Sequence, residues 1–219
     1  MTITLSDLYN AAASQEWSMY DGDVTEKGDM EQSLVIAINK AVTEILYSYP
    51  FKFRERTHVL FTLPCTDSYE MPYGLIMKDE SDRYLVKLNS KFLKLIEKPN
   101  ELDVRRGVPE GFYVKGSEIV LYPIPSEKFI LTVDYMTLAI GEDKDGEEIF
   151  VLKDAEDRLI VPEYLEEIFK QAVISRTLLK TISAEGDENY GAYKKQSEIS
   201  YRQLVKYSKG IIKDKEIRL

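Results

Sequence analysis

Few residues in this sequence are of the types that catalyse reactions or bind metals. The 219-residue chain has one histidine, His58, and one cysteine, Cys65. A catalytic histidine needs a nucleophile or an acid within hydrogen-bonding reach, and a thiolate metal site needs further cysteine or histidine ligands. The sequence alone shows no such partner for either residue. We therefore expect His58 to have a structural or surface role and Cys65 to be inert, with no catalytic residue and no cofactor.

The segment GEDKDGEEIF is the best candidate for a metal site, because its spacing is similar to that of a calcium-binding loop. With Gly146 at the sixth loop position, Asp145 is fifth and Asp143 is third. The first ligand would then be Gly141 and the bidentate twelfth ligand would be Leu152, so both end ligands fail. The pattern therefore favours an acidic hairpin turn and no bound metal.

Sequence motifs for phosphate binding, dinucleotide binding and serine nucleophiles are also missing from the chain. A small hydrolase is accordingly the weakest functional hypothesis, and we expect a protein that is not an enzyme.

The charge of the chain argues against general binding to nucleic acids or anionic membranes. The chain has 38 acidic and 29 basic residues, a net charge of −9, whereas such binding needs a basic surface. The charge is unevenly distributed. Residues 1–50 contain eight acids and two bases, and residues 194–219 contain eight bases and three acids. The chain thus has an acidic beginning and a basic end.

The start of the chain lacks the basic residues and the apolar run of a secretory signal, and its single cysteine cannot form an internal disulfide. We therefore expect a protein kept in a reducing compartment. Apolar runs stay well below the ~20 residues that cross a bilayer, so we expect no membrane association.

Helical periodicity predicts two helices near the N-terminus. The spacing predicts a helix over residues 31–49, with one apolar face, that ends at Pro50. Thr4 and Asp7 match a capping box, which predicts a shorter helix from about Thr4 to Ser14.

Helical periodicity returns after Pro162, which suits the first turn of a helix that Gly186 interrupts. A further helix is predicted over residues 187–208 and ends at Gly210.

The region between the helical ends has β periodicity. The run KFILTVDYM alternates apolar and polar residues, and a hairpin is predicted through Lys115-Gly116-Ser117. The fold class is therefore α+β: a helical bundle from the N- and C-terminal segments, with a β-rich antiparallel insertion. We assign residues 1–55 and 158–208 to the bundle, residues 56–157 to the insertion and residues 209–219 to a C-terminal docking tail.

The docking tail is basic and apolar but too short to build its own core. Its side chains need a groove on another protein, and we expect the tail to order on docking. The predicted partner-binding residues are Lys209, Ile211, Ile212, Lys213, Lys215, Ile217, Arg218 and Leu219.

Several segments, in this order, carry a resemblance to a known family. They are TLSDLYNAA, LYSYPFKFRERTHVLFTL, YEMP, GVPEGFYVKGSEIVLYPIPSEKFILTVDYM and VPEYLEEIFKQAV. The fourth segment is the most characteristic, through Gly107, Pro109, Tyr113, Gly116, Leu121, Pro123, Pro125 and Tyr135. Over residues 4–185 the chain resembles the head-to-tail connector adaptors of tailed bacteriophages, which include tail accessory factors, tail tubular protein A and head completion proteins.

The resemblance implies a helical bundle with a β-rich insertion, assembled as a dodecameric ring between the portal protein and the tail or further ring proteins. It also implies a location in the neck of the virion, with assembly in the cytoplasm of the host bacterium. DNA would pass through the ring without specific binding. A basic C-terminal extension that embeds in the portal also occurs in that family. The acidic loop before the second helix and the acidic turn at residues 143–148 depart from the family pattern.

The leading alternative is a non-viral α+β module that binds proteins without catalysis. The chain has fifteen tyrosines, and we expect them in cores and protein interfaces, because base stacking normally needs a basic groove.

Overall fold

The computed structural model describes residues 2–17, 27–97, 105–181 and 190–216. The fold is α+β, as the sequence predicts. The chain forms two compact units: a helical unit of Met1–Phe53 with Ala139–Leu219, and a β-rich unit of Arg54–Leu138.

Four α-helices are described: α1 (Leu5–Trp17), α2 (Lys27–Ser48), α3 (Glu166–Thr181) and α4 (Tyr190–Glu216). Short 3₁₀ helices occur at Lys52–Arg54 and Glu163–Leu165. No helix within the described ranges combines the length and the apolar character needed to cross a bilayer.

The described strands are β1 (Glu55–Phe61), β2 (Ser68–Glu70), β3 (Gly74–Ile76), β4 (Val86–Leu88), β5 (Lys91–Phe92), β6 (Lys94–Leu95), β7 (Arg106–Gly107), β8 (Gly111–Lys115), β9 (Glu118–Tyr122), β10 (Ile124–Pro125), β11 (Ile130–Thr137), β12 (Gly141–Glu142), β13 (Glu148–Ile149) and β14 (Arg158–Leu159).

The core of the helical unit forms around α3, which packs against α1, α2 and α4. The predicted apolar face of α2 is buried there, with Ile38, Val42 and Ile45 at most 1% exposed. Phe169 of α3 is also fully buried. The apolar stripe read from the sequence is thus confirmed as the face that packs against the other helices.

The predicted capping box at the start of α1 is confirmed. The Asp7 amide donates to Thr4 Oγ1 at 3.1 Å, while the Thr4 amide and hydroxyl donate to Asp7 Oδ2 at 3.0 and 2.9 Å. The hydrogen bond from the Thr4 amide holds the pKa of the Asp7 carboxyl below its usual range. The ionised carboxylate therefore stabilises the first turn of α1.

Replacing Asp7 by asparagine is expected to lower the free energy of unfolding by about 0.3–1 kcal/mol at neutral pH. The pKa of Asp7 is lower in the folded state, so its stabilisation is present above the unfolded-state pKa and is lost as the pH falls through the folded-state pKa. Denaturant titrations of wild type and Asp7→Asn should therefore converge below about pH 4. Asp145→Asn, at an exposed position, is the control and should change little. A difference that persists in acid would contradict this role of the carboxylate.

The core of the β-rich unit lies between two sheets. The first sheet has the strand order β1-β11-β4-β5, with β3 also paired to β11. The second has the order β2-β9-β8-β6. The predicted alternation of the longest strand, β11, is confirmed. Leu131, Val133 and Tyr135 are buried, while Ile130 is 44% exposed on the other face.

The predicted hairpin between β8 and β9 is also confirmed, with Gly116 at φ +63° in its turn. The insertion is not purely antiparallel, however, since β6 pairs with β8 and β7 pairs with β10 in parallel. Each parallel pairing joins only two residues of one strand to two of the other, which is too few to leave a periodic signal in the sequence.

Residues 139–157, which the sequence analysis places in the insertion, belong to the helical unit. Strands β13, β12 and β14 form a small sheet there. Leu152 is fully buried in the helical core, and its amide and carbonyl are both hydrogen-bonded to the Asn39 side chain of α2, at 2.8 and 2.9 Å. Alternation predicts a strand but not the core that the strand joins.

The sequence predicts that α4 ends at Gly210. This prediction is wrong, because the helix continues to Glu216. A glycine within a helix costs only about 1 kcal/mol relative to alanine, and it ends a helix when the backbone there turns left-handed. Lys209 and Lys213, which favour helix, lie on either side of Gly210. The part of the predicted docking tail up to Glu216 is thus a continuation of α4.

Candidate functional site: interaction surfaces

The single histidine and the single cysteine both lie in the β-rich unit. His58 is half-buried in β1, where it pairs with Val133 of β11. Cys65 is an exposed free thiol in a turn with φ +65°, and its amide donates to the Pro125 carbonyl. In the described ranges, no three histidine, cysteine, aspartate or glutamate side chains are grouped as metal ligands would be.

The acidic segment that is similar to a calcium loop forms a hairpin turn, as the sequence favours. Strands β12 and β13 pair antiparallel on either side of the turn. Asp143 Oδ1 accepts hydrogen bonds from the amides of Asp145 and Glu147, both at 2.9 Å, and Gly146 has φ +85°. The Asp143 carboxylate therefore holds the turn itself.

Calcium is expected to leave the melting temperature unchanged, because only a ligand that binds the native state raises it. Thermal denaturation with and without millimolar calcium measures this directly. The control is Asp143→Ala with Asp145→Ala, which removes the two aligned acids. A calcium-dependent rise of several degrees that this variant loses would show that the hairpin binds the ion.

Two further groups, the carboxyl of Asp79 and the hydroxyl of Tyr69, have shifted pKa values that their local surroundings explain. In the turn after β3, hydrogen bonds from Arg83, first from its amide and then from its guanidinium, hold the pKa of Asp79 below its usual range. Burial raises the pKa of Tyr69, whose hydroxyl donates to the Thr66 carbonyl at 2.6 Å. Both groups fix turns of the β-rich unit, and neither lies in a group of reactive side chains.

The predicted docking residues fall in three parts of the chain. Lys209 is exposed, with its Nζ 5.3 Å from the centre of the Tyr49 ring. The backbone of Ile211, Ile212, Lys213 and Lys215 continues α4. Ile217, Arg218 and Leu219 lie outside the described residues. The structure therefore places the first five on one helix.

Helix α4 has a buried side and a basic outer side. Its buried residues Ser197, Ser200 and Leu204 are at most 2% exposed. The outer side has four exposed residues at helical spacing, which we call the basic stripe: Lys195, Ile199, Arg202 and Lys206. Glu198 is the nearest acid, with its carboxylate 4.0 Å from Arg202. The basic stripe can attract an acidic protein surface and offers Ile199, which is 40% exposed, as an apolar contact.

The β-rich unit has an apolar cleft of about 310 Å³ that the sequence analysis missed. It is lined by residues from around β2 and β3, the β8–β9 hairpin and the end of β11, among them Met71, Tyr73, Val114 and Leu138. Tyr73 is 66% exposed and Val114 is 52% exposed at this cleft. Its size suits an inserted side chain of another protein. Local patterns could not reveal it, because the lining residues are distant in sequence.

Comparison with known proteins adds no relative to these observations. No family model matches the chain, and no curated protein matches it significantly.

Proposed function

We propose that this protein is a structural subunit of the head-to-tail connector of a tailed bacteriophage. In this role it forms an adaptor ring that bridges the portal to the tail and lines the conduit for DNA, and it has no catalytic activity. One observation carries the proposal. Helices from both ends of the chain form one unit, and residues 54–138, which are inserted between them in the sequence, form a separate β-rich unit. This is the organisation that the resemblance of the sequence implies for connector adaptors.

The length of α4 supports docking on the portal. Its 27 residues span about 40 Å, against about 24 Å for the 16 residues of α3, the helix that it packs against. Its last fully buried residue among those described is Leu204, twelve positions before Glu216. We assign the contact with the portal to the part of α4 that follows Leu204.

The charge of the chain supports a conduit for DNA more than a site that binds DNA. A net charge of −9 repels phosphates, and an acidic wall lets DNA slide without sticking. The ring then needs no specific contact with nucleic acid.

The apolar cleft of the β-rich unit favours a second candidate, a non-viral module that binds protein partners as a single copy. Such a module would also leave Tyr73 and Val114 exposed for a partner. Copy number distinguishes the two candidates, because a connector must close a ring and a module need not.

Mass photometry of the protein with its portal tests the proposal. Complexes are expected to contain about twelve copies per portal ring, because about twelve copies close a ring on a portal of twelvefold symmetry. The portal alone and the protein alone give the reference masses. A complex with isolated subunits in one-to-one contact would support the interaction module and overturn the connector.

A further inference from the structure

The outer side of α4 presents positive charge that the described part of the chain does not neutralise. Residues 190–209 contain five basic residues and one acid, although the whole chain is acidic. Arg202 is 81% exposed, and its one ion pair among the described residues is with Glu198, at 4.0 Å. Lys195 and Lys206 are exposed and make no ion pair with any described residue. The basic stripe is thus an uncovered helix face with an electrostatic preference for an acidic partner.

The same helical unit carries a surface of opposite charge. The hairpin of residues 141–149, which we call the acidic hairpin, contains five acids and one base. The side chains at its tip, including Asp145 and Glu147, are exposed. Phe150 and Val151 follow it directly and are 42% and 49% exposed. The acidic hairpin and the two residues after it therefore offer negative charge and apolar area, which are complementary to the cations and Ile199 of the basic stripe.

These two surfaces belong to different elements of the helical unit. The segment of the acidic hairpin is bonded to α2 through Asn39, and its sheet is bonded to the start of the chain by the bridge between Thr4 and Arg158. Helix α4 packs against α3, and the basic stripe is opposite the side of α4 that is buried. Among the described residues, Lys195, Arg202 and Lys206 make no ion pair with the acidic hairpin of the same chain, so we assign the pairing of the two surfaces to two copies.

We propose that the acidic hairpin of one copy docks on the basic stripe of the next copy. This inference rests on the proposed ring, since it names the contact between its subunits. Two different surfaces of the same chain form a heterologous interface, which repeats from copy to copy and closes when the rotation permits. Opposite charges set the register, and Val151 against Ile199 contributes apolar burial.

Charge reversal on each surface tests the contact on the full chain with its portal. The first variant, Arg202→Glu with Lys206→Glu, makes the stripe acidic. The second, Asp145→Lys with Glu147→Lys, makes the tip of the hairpin basic, with three lysines against one acid at residues 143–147, and leaves Asp143 to hold the turn. All four side chains are exposed, so the melting temperatures should stay close to that of the wild type.

Each variant alone is expected to raise the concentration needed for ring assembly on the portal by about a hundredfold, because like charges then meet at every interface. A chain with all four substitutions should assemble again, since its acidic stripe meets a basic hairpin. An equal mixture of the two single-surface variants should assemble as well, with the variants alternating around the ring. Salt should weaken assembly of the wild type.

Each remaining outcome decides against a named claim. Rings of either single-surface variant at wild-type concentrations would overturn this contact and leave the connector intact. Loss of assembly without rescue in the four-substitution chain would also overturn it, because the two surfaces would not be partners. Binding of duplex DNA by the wild type but not by the stripe variant would assign the stripe to nucleic acid. A wild type that forms no ring would overturn the connector and this contact together.

Discussion

Deletion of residues 210–219 is expected to abolish binding to the portal while leaving the melting temperature nearly unchanged. The α4 residues described as buried all precede the deleted segment, the last being Leu204, so the contacts described for them are kept. Ile211 and Ile212 would contribute about 1.5–3 kcal/mol each when buried in a groove of the partner. Their loss alone weakens binding by roughly two orders of magnitude or more.

Two matched variants separate the contributions of the tail. Ile211→Ser with Ile212→Ser should mainly raise the dissociation rate, because apolar burial determines how long the complex lasts. Lys213→Ser with Lys215→Ser should mainly lower the association rate and its dependence on salt, because these charges act before contact. Surface plasmon resonance on immobilised portal measures both rates.

The truncated protein also provides the contradicting outcomes for the tail. If it binds the portal as well as the full chain, the end of α4 is not a docking element. If it loses its fold, the segment belongs to the core and the assignment of a docking role is wrong.

Replacing Phe169 by alanine is expected to lower the free energy of unfolding by about 3–5 kcal/mol, the largest stability effect of a single substitution that we predict. Phe169 is fully buried in α3, which packs against the three other helices of the helical unit. Its removal leaves a cavity where the segments from the two ends of the chain meet. Denaturant titration measures the change.

The control for Phe169 is Tyr164→Ala, five residues earlier in the chain and 53% exposed. This substitution should change the free energy of unfolding by less than about 0.5 kcal/mol. Equal effects of the two substitutions would contradict the central position of α3 in the core.

Signals that depend on neighbouring residues were read correctly from the sequence. The capping box needs only Thr4 and Asp7, three positions apart, and the stop of α2 needs only Pro50. The alternation of β11 and the hairpin turn at Asp143 are equally local. In each case the backbone geometry follows from residues within one turn of helix or one hairpin.

Features that depend on tertiary packing could not be predicted from local sequence patterns. Residues 139–157 join the helical core through Asn39, which is 113 positions from Leu152. The apolar cleft combines segments around β2, β8 and the end of β11. The basic stripe could be placed on a helix from the sequence, but its exposure depends on which side of α4 packs against α3. The end of α4 was missed because a glycine stops a helix only in some contexts.

An image of the assembled complex tests the central claim most directly. Purified protein mixed with its portal and viewed by negative-stain electron microscopy should show a second closed ring, coaxial with the portal and with an open central channel. Class averages of end views should have the rotational symmetry of the portal. Portal rings without an added layer, or with subunits attached singly at their edge, would contradict the account of this protein as a connector adaptor.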